Sequence, residues 1–68
     1  MTTNDLEFIS TGCCGEHRAA VCAMADGSEI TVRDHNDGFY TVIVMRDGVL
    51  SRLVQSADTE EVNVLLAG

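Results

Sequence analysis

Carboxylates are the residues this chain has in excess. Eleven Asp and Glu stand against four Arg and no Lys, a formal net charge of −7 over 68 residues. So many acids on one small body can do one of two things. They can form a solvated surface that keeps the chain apart from its neighbours. They can also stand in for the phosphates of a nucleic acid and occupy a basic groove on another protein. Asp26, Asp37 and Asp47 each precede a Gly, and turn chemistry explains them. It does not explain Asp5, Glu7, Glu16, Glu29, Glu60 or Glu61, which lack basic neighbours. The candidate partner-binding residues are Glu29, Asp34, Asp37, Asp47, Glu60 and Glu61, the turn carboxylates Asp37 and Asp47 included. A negative field of this size repels phosphates and anionic lipid, which argues against direct contact with DNA, RNA or a membrane surface.

The second group is Cys13, Cys14, His17, Cys22 and His35. It holds enough ligand types for zinc, but adjacent cysteines share one tetrahedral ion only with strain, and no C-x2-C pair is present. Cys13 or Cys14 beside His17 also supplies a thiol and a base for nucleophilic chemistry. A chain this short has little room for a substrate pocket as well as a core. The bland reading, loop thiols plus a small core residue at Cys22, is preferred, so no catalytic residue, metal or cofactor is expected. Gly12 and Gly15 flank the cysteines without the phosphate-cradling G-x-x-x-x-G-K-[ST] pattern, and a chain without Lys cannot complete it.

Sixty-eight residues make one domain, 1–68, that buries about 60% of its unfolded surface. Its core must be thin, and a partner chain, such as a second copy in a homodimer, would help to stabilise it. A hydrophobic fraction of 46% with clear periodicity argues for folding over disorder. The polar start MTTNDLE has no apolar signal region, and no apolar run approaches the roughly 20 residues of a membrane span. With three cysteines, an odd number, the expected compartment is a reducing cytoplasm.

The elements that would position these groups are organised around Phe39–Gln55, read as two strands closed by an Asp47-Gly48 turn. Asp-Gly between apolar runs is a strong hairpin signal, since a type I′ turn needs positive φ at both positions. The first run is apolar on both faces, with Ile43 taken as a core position. Ser28–Asp34 alternates cleanly, Ile30 and Val32 inward and Glu29, Thr31 and Arg33 outward. Residues 16–25 fit an Ala-rich helix or a strand. The recurrence of Asp-Gly turns at 26, 37 and 47 favours the strand, as in a β-meander. Leu6–Thr11 reads as a short strand and residues 1–5 as a frayed tail. After a break at Ser56-Ala57-Asp58, Asp58 caps a helix whose stripe is Val62, Leu65 and Leu66. The expected fold is α+β: a small antiparallel meander of about 4–5 strands with a C-terminal helix on one face.

In size and acidic charge the chain resembles the small phage-encoded inhibitors of host defence, anti-CRISPR proteins among them, several of which act as nucleic-acid mimics. That resemblance implies a non-enzymatic inhibitor whose partner is a nucleic-acid-binding protein or complex, blocked by occupancy. From Phe39 to Gly68, the strand–DG–strand–capped helix order is also similar to many small bacterial domains.

Overall fold

The structure, a computed structural model, describes residues 2–11 and 17–67. Cys13 and Cys14 lie outside the described residues. Five strands, β1 (Ile9–Thr11), β2 (His17–Ala23), β3 (Ser28–Asp34), β4 (Tyr40–Arg46) and β5 (Val49–Ala57), precede one helix, α1 (Thr59–Ala67). The strands form one antiparallel sheet in chain order, and α1 packs against it. This is the expected α+β meander.

Turn chemistry sets the register. Asp47 (φ 54°) and Gly48 (φ 77°) are both left-handed, the conformation that a two-residue type I′ hairpin requires. The β2–β3 turn differs, since only its glycine is left-handed. The Gly27 N–H donates to the Met24 carbonyl, and the Met24 N–H to the Ser28 carbonyl, closing a three-residue loop on Gly27. Residues 17–23 are strand, as the turn rhythm implies, because their alternation lets Ala20 (3% exposed) enter the core while Ala19 and Val21 take the other face.

The core lies between the sheet and α1. Val32, Val42 and Val62 are fully buried, joined by Ala57, Ile30 and Leu66, with Leu6, Phe8, Tyr40 and Leu65 packed around them. Ala57 faces Tyr40 across the sheet directly before the helix begins. A methyl group there leaves space for α1 to turn back over the strands.

Three boundaries or faces depart from the sequence reading. The expected break at residues 56–58 is narrower, because β5 continues through Ala57, which is completely buried. Strand β5 reaches that length by two register shifts, between Tyr40/Val42 and Val44/Met45, which place Ser51 and residues 55–56 in bulges. The first strand is only Ile9–Thr11, since Leu6 and Phe8 turn inward to cover the core. Residues 2–5, expected as a frayed tail, make both local and long-range bonds. Thr3–Asp5 forms a 3-10 turn, the Thr2 N–H donates to Asp5 Oδ2 at 2.9 Å, and the Thr3 N–H donates to Asn63 Oδ1 of α1 at 2.8 Å. Finally, Ile43 is not in the buried core. It pairs with Thr31 and Leu53 on the face turned away from α1 and is only half-buried, whereas its neighbour Val42 is fully enclosed.

Because α1 is only nine residues long, its stability comes from the buried stripe rather than from intrinsic propensity. Truncating Val62→Ala (0% exposed) should cost about 2 kcal/mol in urea unfolding, through lost burial and a residual cavity. Val64→Ala (67% exposed) should change stability by less than about 0.5 kcal/mol. Equal effects would place the helix stripe wrongly.

Candidate functional site: an acidic sheet end

The meander sorts the candidate carboxylates by sheet end. Asp34 pairs with Tyr40, and Tyr40 with Ala57, so the β3–β4 turn and the start of α1 lie at one end. Asp34 and Ala57 are two strand spacings apart, roughly 10 Å between Cα atoms. That end gathers Asp34, Asp37, Glu60 and Glu61, and adds Asp58, which the sequence marked only as a cap. All are exposed except Asp34, which is half-buried. The other two candidates are elsewhere. Asp47 sits in the β4–β5 turn at the opposite end, and Glu29 lies near that end, on the face away from α1, between Ala23 and Met45.

Hydrogen bonds aim three of the five acids. Asp34 Oδ1 accepts from the Asn36 N–H at 2.8 Å, Asp37 Oδ1 from the Phe39 N–H at 3.0 Å, and Asp58 Oδ1 from the Glu61 N–H at 2.8 Å. Each leaves its second carboxylate oxygen for solvent or a partner, on a side chain whose orientation is already set. Glu60 and Glu61 project from the first turn of α1, where the positive end of the helix dipole favours them. None of the five takes part in an ion pair among the described residues. Arg18, opposite Asp34 in the register, has its guanidinium 5.1 Å from the centre of the Phe8 ring, which itself lies 6.4 Å from the Tyr40 ring.

The opposite end is different in kind. Asp26 Oδ1 accepts from the buried Ser28 hydroxyl at 2.6 Å and from the Ser28 N–H at 3.0 Å, and Oδ2 pairs with Arg46 at 3.2 Å. The Ser28 hydroxyl, then the Ser28 N–H, hold this carboxyl below its ordinary value of 3.8, with a smaller pull from Arg46. Beside it a shallow groove of about 400 Å³ runs between the sheet and the C-terminal half of α1, past Met24, Ile30, Val44, Arg52 and Leu65. Among the described residues its one carboxylate is Asp26, and none that lines it is a histidine or cysteine.

Cys22 does not converge with the histidine candidates, whereas the register that pairs Arg18 with Asp34 carries His17 and His35 to the same sheet end. Cys22 pairs with Ile30 on the helix face, its thiol 3.9 Å from the Met24 sulfur. His35 lies at the far end of the same strand pair and meets the Thr41 hydroxyl at 2.6 Å. The five-residue offset along β3 separates Cys22 from His35 by roughly 17 Å. Among the described residues no three His, Cys, Asp or Glu side chains are grouped to hold a metal ion, and no helix is long and apolar enough to cross a membrane.

Two measurements test these contacts. Asp58→Ala removes the cap of α1 and should cost about 1 kcal/mol, with Asp58→Asn close to wild type. A silent Asp58→Ala would mean that the cap does not form. The lowered folded value of Asp26 means that its contribution is complete above 3.8 and is lost as pH falls through the still lower folded value. Asp26→Asn should therefore flatten the acid side of the stability profile below that value, and an unchanged profile would exclude the Ser28 contact in solution.

No family model matches this chain, and no curated protein or solved structure matches it.

Proposed function

We propose that this protein is a non-enzymatic acidic binding protein of the cytoplasm that inhibits a nucleic-acid-handling partner by occupying its basic surface. The contact is made with the sheet end formed by Asp34, Asp37, Asp58, Glu60 and Glu61. One observation carries the reading: these five carboxylates, from two separate elements, share one end without an ion pair among the described residues. A carboxylate aimed by a backbone N–H presents an anionic oxygen in a fixed place, as a phosphate does. Preorganised anions of this kind steer a basic surface into register and resist reorganisation on binding. Several of the small inhibitors that the chain resembles in size and charge act as nucleic-acid mimics, which supports the same reading.

The partner is recovered from the source cell with immobilised protein, and its affinity is then measured directly. Triple neutralisation of the acidic end, Asp37→Asn, Glu60→Gln and Glu61→Gln, should weaken binding by more than about tenfold, or about 1.4 kcal/mol. These changes keep the turn and helix acceptors, so folding is preserved. The control, Asp47→Asn at the opposite sheet end, should have a far smaller effect. Wild-type affinity should fall steeply as salt shortens the screening length below about 8 Å, and nucleic acid should compete. Equal losses in both sets, or a ternary complex of partner, nucleic acid and this protein, would refute the proposal.

A further inference from the structure

One face of the sheet is covered by α1 and the other by nothing among the described residues. The uncovered face is built from three cross-strand rows. The middle row is Val21, Thr31, Ile43 and Leu53. One flanking row is Ala19, Arg33 and Thr41, and the other is Ala23, Glu29, Met45 and Leu50. Val21 (62% exposed), Leu50 (53%) and Leu53 (46%) lie open there, with Ile9 (69%) at the β1 margin beside Ala19. These account for most of the large exposed apolar side chains described. Contiguous apolar surface of this kind marks an interaction site.

The charges on this face identify its occupant. Glu29 and Arg33 are the only charged members of the three rows. They stand on one strand, two residues either side of Thr31, each about 6.8 Å from it. Neither makes an ion pair among the described residues. We infer that this face binds the same face of a second copy of the chain, about a two-fold axis running along the Val21–Thr31–Ile43–Leu53 row. Such an axis reverses the strand direction of the partner sheet. Glu29 of each copy then meets Arg33 of the other, Met45 meets Thr41, Ala23 meets Ala19, and the middle row packs on itself. An isologous contact needs a surface complementary to its own image, and this arrangement of one acid, one base and an apolar centre has that property. The net charge of −7 does not oppose it locally, because within the three rows the two charges cancel.

Area and edges fit the same occupant. Four long strands at about 4.8 Å spacing and about 23 Å length present on the order of 500 Å² per copy. Two such faces pack as an aligned sandwich about 10 Å apart, near the lower size limit of specific interfaces. Strand addition, the other route to a dimer, is obstructed at the β5 edge by the two bulges in that strand and has only three strand residues to pair with at the β1 edge. The acidic sheet end is not part of this face, so the two surfaces are tested separately.

Sedimentation of the purified protein up to about 100 μM should show a reversible species of twice the 7.3 kDa chain mass, the concentration being that suited to a contact of this size. Ile43→Asp and Leu53→Asp should each weaken association by about a hundredfold or more while keeping a cooperative melt, since in the monomer Leu53 is exposed and Ile43 only half-buried, and both are fully enclosed only in the dimer. Glu29→Arg alone and Arg33→Glu alone should each be monomeric, for like charges then meet twice across the axis. Mixing those two variants should restore a heterodimer. A wild-type protein that stays monomeric throughout this range, aspartate variants that dimerise normally, or single charge variants that associate without mixing would each overturn the inference. If Ile43→Asp and Leu53→Asp both fail to melt cooperatively, these positions belong to the core and the inference also fails.

Discussion

A nine-residue helix is about 13.5 Å long and about 10 Å wide with its side chains, so it can cover only part of one face of a five-stranded sheet. Most other features of the fold follow from that limit. The core reduces to a single seam, with Val32 and Val42 from the sheet and Val62 from the helix fully enclosed. The margin that α1 cannot reach is closed by Leu6 and Phe8 from the N-terminal segment, whose 3-10 turn is tied to α1 through Asn63. The small side chain of Ala57 lets the chain pass from strand to helix without an intervening loop. A longer helix, or a second one, would have covered more of the sheet. The remaining apolar face is left uncovered by the described residues.

The limit also decides where charge can go. The seam admits no carboxylate, and the residues that end strands must supply turns, so Asp collects at the two sheet ends. A meander places alternate turns at alternate ends. The β2–β3 and β4–β5 turns, with Asp26 and Asp47, share one end, while the β3–β4 turn shares the other with the start of α1. The first end carries Arg46 beside Asp26. The second adds three helix-start acids, Asp58, Glu60 and Glu61, which the helix dipole favours there. The asymmetry of the surface is thus a product of strand parity plus capping, and it arises without any residue being out of its preferred local environment.

Much of this was legible in the sequence, because the signals were local. Asp-Gly at 47–48 announces its turn by backbone sterics alone, and strand β3 announces its faces by strict alternation of Ile30 and Val32 with Glu29, Thr31 and Arg33. The cap at Asp58 and the stripe of Val62, Leu65 and Leu66 are equally local. What could not be read required knowledge of the partner layer. Val42 and Ile43 are both β-branched and apolar, so nothing in their types tells which one meets α1. Bulges at Ser51 and residues 55–56 have no Gly or Pro to mark them, so β5 looked shorter than it is. The grouping of Asp34 with Glu60 joins residues distant in sequence, and only sheet topology brings them together. Asp58 was missed as a member of that group because its capping role explained it fully.

The two apolar faces of β4 therefore mean something other than a central position between two layers of one chain. A doubly apolar strand is usually explained by helices on both sides. Here the described residues supply one helix, so the second set of apolar residues is either surplus or reserved for contact. Surplus would be disfavoured on physical grounds, since Val21, Leu50 and Leu53 exposed together invite indiscriminate association. The acids at the sheet ends limit such association, because a neighbour approaching end-on or at random meets like charge. Only an approach that brings the near-neutral face onto a complementary surface avoids that repulsion. The excess charge that favours a basic partner at one end would then also restrict which partner can reach the open face, so that one composition serves both surfaces.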